Sequence, residues 1–219
     1  MASLSSSGGA GFLIGGFAQK MFELRSKNTA IQKICLEIIF KAMTIKKWKV
    51  VSREIVYKNK YNRNIEKVAY ELQNKKIHDF YIKKEGRTVA IFALTNDKKI
   101  ILGKEYRPGP HKIGLDIVGG GIHKNETVRK AAARELLEET GYAGKLKIVA
   151  ELPVQAYSTG RQYCVVATDC EKIQEASLDP TEFIEVKLLS LSQFRAFLRK
   201  GKIMNASVGY LALDYLKLL

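Results

Sequence analysis

Residues 120–142 read GGIHKNETVRKAAARELLEETGY, and within them stand Gly120, Glu126, Arg134, Glu135, Glu138, Glu139 and Gly141. Glu135, Glu138 and Glu139 are related by i, i+3 and i+4, so on a helix of about 3.6 residues per turn the three carboxylates share one face. Clustered carboxylates repel one another unless cations sit among them. Hard divalent ions such as Mg2+ take carboxylate, carbonyl and water oxygens and keep positions open for phosphates, which makes this face an ion platform.

The full pattern is Gly, any five, Glu, any seven, Arg-Glu, an aliphatic, any one, Glu-Glu, any one, Gly. With each fixed letter at a background of ~7 %, a chance match of seven is on the order of 10^-8 per starting position. The plainer alternative is a solvated helix face with i, i+4 ion pairs, on a run where Ala131, Ala132, Ala133 and Leu136 favour helix. On these residues the chain resembles the Nudix hydrolases. Tyr142 stands where that family usually has an aliphatic residue.

With 219 residues, 46 % of them hydrophobic, the chain can bury a full core, and no apolar run is long enough to span a bilayer. Cys35, Cys164 and Cys170 form neither a metal-ligand spacing nor an even disulfide set, which points to a reducing, cytoplasmic compartment. The net charge of +15 is uneven: residues 1–112 carry 23 Lys and Arg against 9 acids, residues 113–219 carry 14 against 13. These cations are scattered among Ile, Asn and Tyr without a dense basic block, so neither nucleic acid nor a membrane is expected as a partner.

Residues 1–42 open with MASLSSSGGAGFLIGG and hold only Glu23 and Glu37 as acids. They read as an N-terminal extension, whether targeting, non-native or disordered, with an amphipathic helix over Ile31–Met43 and Met43 as a candidate native start. Residues 43–82 read as N-terminal strands: one from Trp48 to Tyr57, then VAYELQ and HDFYIKK. Residues 83–219 read as the main domain. TVAIFALTN and IILGKEYR flank a turn at Asp97-Lys98-Lys99, and Leu115–Val118 is a short strand entering Gly119-Gly120-Gly121. A helix is expected over Glu126–Thr140, ended by Gly141. Strands follow at Leu146–Pro153, Gln162–Thr168 and Phe183–Leu189, and helices at Ser192–Lys200 and Ala206–Leu218. This order gives an α+β fold, and the resemblance implies the Nudix fold, a mixed sheet between helices.

The resemblance extends outside the motif. Glu105-Tyr106-Arg107-Pro108-Gly109, followed by Leu115-Asp116 and the glycines, looks like the segment that precedes the motif in the ADP-ribose pyrophosphatase branch, which cleaves nucleoside diphosphate sugars. In that branch N-terminal strands often form a homodimer, a role open to Met43–Ile82 here. Relatives often show Glu-Leu-Pro-Ala-Gly-Gly before the motif, where this chain has Leu115-Asp116-Ile117-Val118-Gly119-Gly120. Many carry a Glu in the loop after it, and Tyr157-Ser158-Thr159-Gly160-Arg161-Gln162 has no acid. The general base is therefore open between Glu138 and Glu182.

The resemblance implies a Mg2+ enzyme, with Mn2+ as substitute, in which Glu135, Glu139, Glu138 and the Gly119 carbonyl hold metal. Arg134 orients the glutamates, and Glu126 holds the motif loop or reaches metal through water. Arg107, Gly120 and Gly121 meet the substrate, Arg107 through its planar fork. His78, His111 and His123 show no ligand spacing. The expected reaction is hydrolysis of ADP-ribose or a nucleotide sugar to a nucleoside monophosphate and a sugar phosphate. The alternatives are a Nudix hydrolase of nucleoside triphosphates, dinucleotides or capped RNA, and a non-catalytic nucleotide-binding module.

Overall fold

The nine residues RTVAIFALT (87–95) are apolar almost throughout, the composition of a strand covered on both faces. The computed structural model describes residues 45–59 and 63–219. The expectations for residues 1–42 lie outside the described residues.

By their contacts the described residues fall into two units, 45–49 with 71–76, and 50–59 and 63–70 with 77–219. In the first, residues 71–76 form a turn in which Leu72 N–H donates to the Lys76 carbonyl at 2.8 Å and Lys75 has φ 67°. The second holds the larger sheet and the helices.

Strands β1 (Lys49–Tyr57), β2 (Asn64–Glu71) and β3 (Ile77–Lys84) make a three-stranded sheet in that order. The larger, mixed sheet contains β4 (Arg87–Thr95), β5 (Lys99–Arg107), β6 (Lys112–Asp116), β7 (Tyr142–Pro153), β8 (Arg161–Lys172), β9 (Glu185–Ser190) and β10 (Ile203–Met204). Its order is β10-β6-β5-β4-β8-β7, with β9 on β5. Helices α1 (Val128–Thr140), α2 (Leu191–Arg199) and α3 (Ala206–Tyr215) complete the described chain.

Successive side chains of a strand point to opposite faces, and β4 shows what that builds. Val89, Ile91 and Ala93 pack with Ala131, Ala132 and Leu136 of α1, while Ala90, Phe92 and Leu94 pack with Phe194 and Leu198 of α2 and Val208, Ala212 and Leu213 of α3. The sheet is thus the middle layer of three, and the expected α+β fold with a mixed sheet between helices is what forms. Phe92 and Phe194 are fully buried and meet edge to face at 5.3 Å. Truncating either to Ala would cost about 3–5 kcal/mol.

Two features of this layering position the site. Parallel pairing of β4 with β8, and the bond from Ile173 N–H to the Gly141 carbonyl at 2.9 Å, bring the end of β8 and the end of α1 together. Strand β5 also changes partner along one edge, from β4 at residues 100 and 101 to β6 at residues 103–107, while β9 pairs its other edge only as far as Lys104. The sheet opens there, beside Glu105, Tyr106 and Arg107.

Several boundaries differ from the sequence expectation. The short strand before the glycines is Lys112–Asp116, not Leu115–Val118, and α1 begins at Val128, so Glu126 precedes the helix. Strand β1 has all nine residues exposed, with Val51, Ile55 and Tyr57 about half exposed, as are Ile77 and Tyr81 of β3. Among the described residues no helix is long and apolar enough to cross a membrane.

Candidate active site

The site is built on the last two turns of α1 and the glycine run that precedes the helix. Thr127 caps the helix, its side chain accepting from Lys130 N–H, and Gly141, at φ 76°, closes the other end by donating to the Leu137 carbonyl at 2.8 Å. Ahead of the helix, residues 118–122 run antiparallel along the start of β4. Ile91 N–H donates to the Val118 carbonyl at 2.7 Å, Val89 N–H to Gly120 at 2.9 Å and Ile122 N–H to Arg87 at 2.9 Å. A Cβ on Gly119 would overlap the Val89 carbonyl, and one on Gly120 would fall on the Glu135 carboxylate. Only glycine lets the backbone lie between strand and glutamates at this distance.

Arg134 is the hub of the motif. Its Nε and Nη2 donate to Glu126 at 3.0 and 3.1 Å, its Nη1 to Glu135 and Glu138 at 2.9 and 3.0 Å, and its Nη2 to the Gly121 carbonyl at 2.9 Å. The planar fork matches carboxylates on two edges, a geometry that lysine lacks. Glu126 also accepts from His123 N–H at 2.9 Å, so through Arg134 it ties loop to helix. The Arg134 hydrogen bonds hold the Glu126 carboxyl down at about 2.

The other glutamates behave oppositely. Burial raises Glu139 to about 8, against one opposing bond from Gly119 N–H at 3.1 Å, with Glu135, Glu105 and Glu182 adding like charge. Burial also raises Glu135, which Arg134 offsets in part. Glu105 is raised by burial too, with Arg107 opposing.

A cavity of about 780 Å3 opens here. Glu135, Glu138, Glu139, Arg134, Arg107 and Gly119–Gly121 all line it. The structure therefore brings the expected site residues together, with Glu126 set just behind them on Arg134. Arg107 is held from below: its Nη2 lies 2.5 Å from Asp116 Oδ2 and 2.7 Å from Glu105 Oε1.

The acid-free Tyr157–Gln162 loop is elsewhere, bound to β3 and Glu85 through Lys83 N–H to the Tyr157 carbonyl and Ser158 Oγ to Glu85. The loop that closes the cavity is the later one between β8 and β9, which places Glu182 and Asp179 in its wall. Tyr106, Phe183 and Arg63 also line the cavity, and sequence reading assigned them no role. The exposed aromatics Tyr106 and Phe183 carried no periodic signal that would have marked them.

The donors suit a hard divalent ion. Buried carboxylates whose protons are held unusually tightly sit beside further acids, and Glu139 takes a backbone N–H rather than a cationic side chain. Among the described residues no three His, Cys, Asp or Glu groups converge as a ready ligand set: Glu135 and Glu138 are turned onto Arg134, and Glu139 onto Gly119.

Comparison with known proteins agrees with this geometry. The NUDIX domain model matches residues 84–207. The ADP-ribose pyrophosphatase of Bacillus subtilis (strain 168) is 30 % identical over 174 residues, covering 78 % of this chain and 92 % of that protein. The methanol dehydrogenase activator of Bacillus methanolicus is 27 % identical over 183 residues, covering 82 % and 95 %. A solved structure described as an ADP compounds hydrolase superposes with a TM-score of 0.70 over 80 % of this chain and 96 % of that one, at 24 % identity, and so speaks for the fold.

Proposed function

This chain belongs to the NUDIX family, and from that premise we propose that it hydrolyses the diphosphate bridge of ADP-ribose or a nucleotide sugar, releasing a nucleoside monophosphate and a sugar phosphate. The observation that carries the reading is the convergence of Glu135, Glu138, Glu139, the glycine backbone and Arg107 on one cavity, with burial raising the Glu135 and Glu139 carboxyls. The likeness to an ADP-ribose pyrophosphatase over most of both chains supports this substrate class.

In this proposal Glu135, Glu139, Glu138 and the Gly119 carbonyl hold Mg2+, with Mn2+ as a substitute. A divalent ion held there would supply charge neutralisation of the diphosphate and a lowered pKa for a bound water. Arg134 keeps Glu135 and Glu138 in place, and Glu126 anchors Arg134 to the loop. Gly120 and Gly121 let the diphosphate approach the backbone, and Arg107 pairs with a phosphate oxygen. Water attacks one phosphorus, the bridging P–O bond breaks, and a carboxylate takes the water's proton. Glu138 and Glu182, both in the cavity wall, are the candidates for that base. The presence of Glu182 answers the missing acid in the 157–162 loop and weighs for turnover over a mere binding module.

Residues 43–82 are proposed to pair two copies of the chain. The exposed Val51, Ile55 and Tyr57 of β1 supply an apolar strand surface of the kind that pairing covers. Light scattering should give twice the chain mass of 24.6 kDa. We place the protein in the cytoplasm, in keeping with the buried free thiols of Cys164 and Cys170. Residues 1–42 lie outside the catalytic domain in this proposal, so a chain starting at Met43 should keep its activity.

The test is a panel of ADP-ribose, nucleotide sugars, triphosphates, dinucleotides and capped RNA with Mg2+ or Mn2+, products resolved by chromatography. ADP-ribose should give AMP and ribose 5-phosphate. Turnover confined to triphosphates or capped RNA would replace the substrate assignment, and binding without turnover of any compound would end the enzyme reading.

A further inference from the structure

Asn205 immediately precedes α3 with φ 56° and ψ 37°, a left-handed backbone that a non-glycine residue adopts at local cost. An asparagine there ordinarily turns its side-chain oxygen to the open N–H groups of the helix. Asn205 makes no such bond. Its Nδ2 donates to Asp116 Oδ1 at 2.7 Å, and its Oδ1 accepts from Gln162 Nε2 at 3.0 Å.

The chemistry of this chain of contacts runs one way. An ionised carboxylate only accepts, so Asn205 must present its NH2 to Asp116, and the Gln162 amide fixes that orientation. Asp116 is 3 % exposed and has its other oxygen 2.5 Å from Arg107 Nη2. A buried carboxylate needs both oxygens satisfied, and losing one partner lets it turn toward others. Glu105 competes for the same Nη2 at 2.7 Å, so a shift of Asp116 changes the pose of the guanidinium in the cavity wall.

We propose that Asn205 is a positioning residue: acting through Asp116, it holds Arg107 in the pose that receives a substrate phosphate. What Arg107 receives rests on the pyrophosphatase reading above, whereas the tether rests on geometry alone. The C-terminal helix is thereby coupled to the diphosphate site through a residue that touches no substrate.

Asn205→Gly keeps the left-handed backbone and deletes the amide, and Asn205→Asp keeps the size but sets a second carboxylate against Asp116. In the full chain with Mg2+ and ADP-ribose, Asn205→Gly should raise KM roughly three- to tenfold with kcat held within about twofold. Asn205→Asp should raise KM further. In an Arg107→Ala background Asn205→Gly should add nothing, because its effect passes through the missing guanidinium. A merely structural role would lower kcat and Tm and would add in both backgrounds. Without any substrate, the Arg107 guanidinium resonance of 15N-arginine protein, assigned with Arg107→Lys, should shift in both Asn205 variants. An unmoved resonance, an unchanged KM, or an effect that persists without Arg107 overturns the proposal. A wild type that turns over no diphosphate sinks the pyrophosphatase reading instead, and the resonance then decides the tether.

Discussion

Replacing Glu139 by Gln removes a buried titratable carboxyl while keeping the oxygen that accepts from Gly119 N–H. Burial lifts this carboxyl from its ordinary 4.5 to about 8. Each pH unit in that interval is worth about 1.4 kcal/mol, so at pH 7 the proton this carboxyl must take up on folding opposes folding by about 3 kcal/mol. Solvent in the cavity brings that to about 1–3 kcal/mol. The folded value lies above the unfolded one, so this contribution to stability is full below about pH 4.5 and is lost as pH rises through about 8. The assay is thermal unfolding in EDTA from pH 5 to 8.5, beside turnover of ADP-ribose with Mg2+. The wild type should lose Tm as pH rises. Glu139→Gln should show a shallower slope, with Glu135 keeping part of it, and a Tm at neutral pH higher by roughly 3–10 °C. Turnover should fall by at least about 10–100-fold. A variant less stable than wild type in EDTA at pH 8, or one with full turnover, would refute the reasoning.

Arg134→Lys should lower stability by about 2–4 kcal/mol, read as a lower Tm, since a point charge cannot hold Glu126, Glu135 and Glu138 together. Gly119→Ala drives a methyl into the Val89 carbonyl and should destabilise the fold, whereas Gly120→Ala meets only the movable Glu135 carboxylate. In calorimetry and kinetics Gly120→Ala should therefore stay folded yet lose most activity. Glu182→Gln and Glu138→Gln distinguish the two candidate bases: the true base should cost about 10^2–10^4 in kcat at unchanged Tm, the other far less.

Much of this was legible in the residues because it is local. The i, i+3, i+4 spacing of Glu135, Glu138 and Glu139 survives as a shared helix face, and the doubly buried β4 could be read from its unbroken apolar run. Strands β7 and β8 extend beyond the sequence reading because register shifts at Ala143/Lys145 and Ile148/Ala150 break the alternation that marks a strand. Glu182 was legible only as a candidate, since it reaches the cavity from an irregular loop with no periodicity to aim it. The partnership of Asn205 with Asp116 was invisible, because only the tertiary fold brings that amide to a carboxylate so distant in sequence.

The most direct test of the central claim is a crystal structure with Mn2+ and a non-hydrolysable ADP-ribose analogue, with the metal placed by its anomalous signal. The account predicts manganese about 2.1 Å from carboxylate oxygens of Glu135 and Glu139, with the diphosphate against it and Arg107 on a phosphate oxygen. Metal and diphosphate bound away from those carboxylates, with Glu135 and Glu139 left facing solvent, would contradict it.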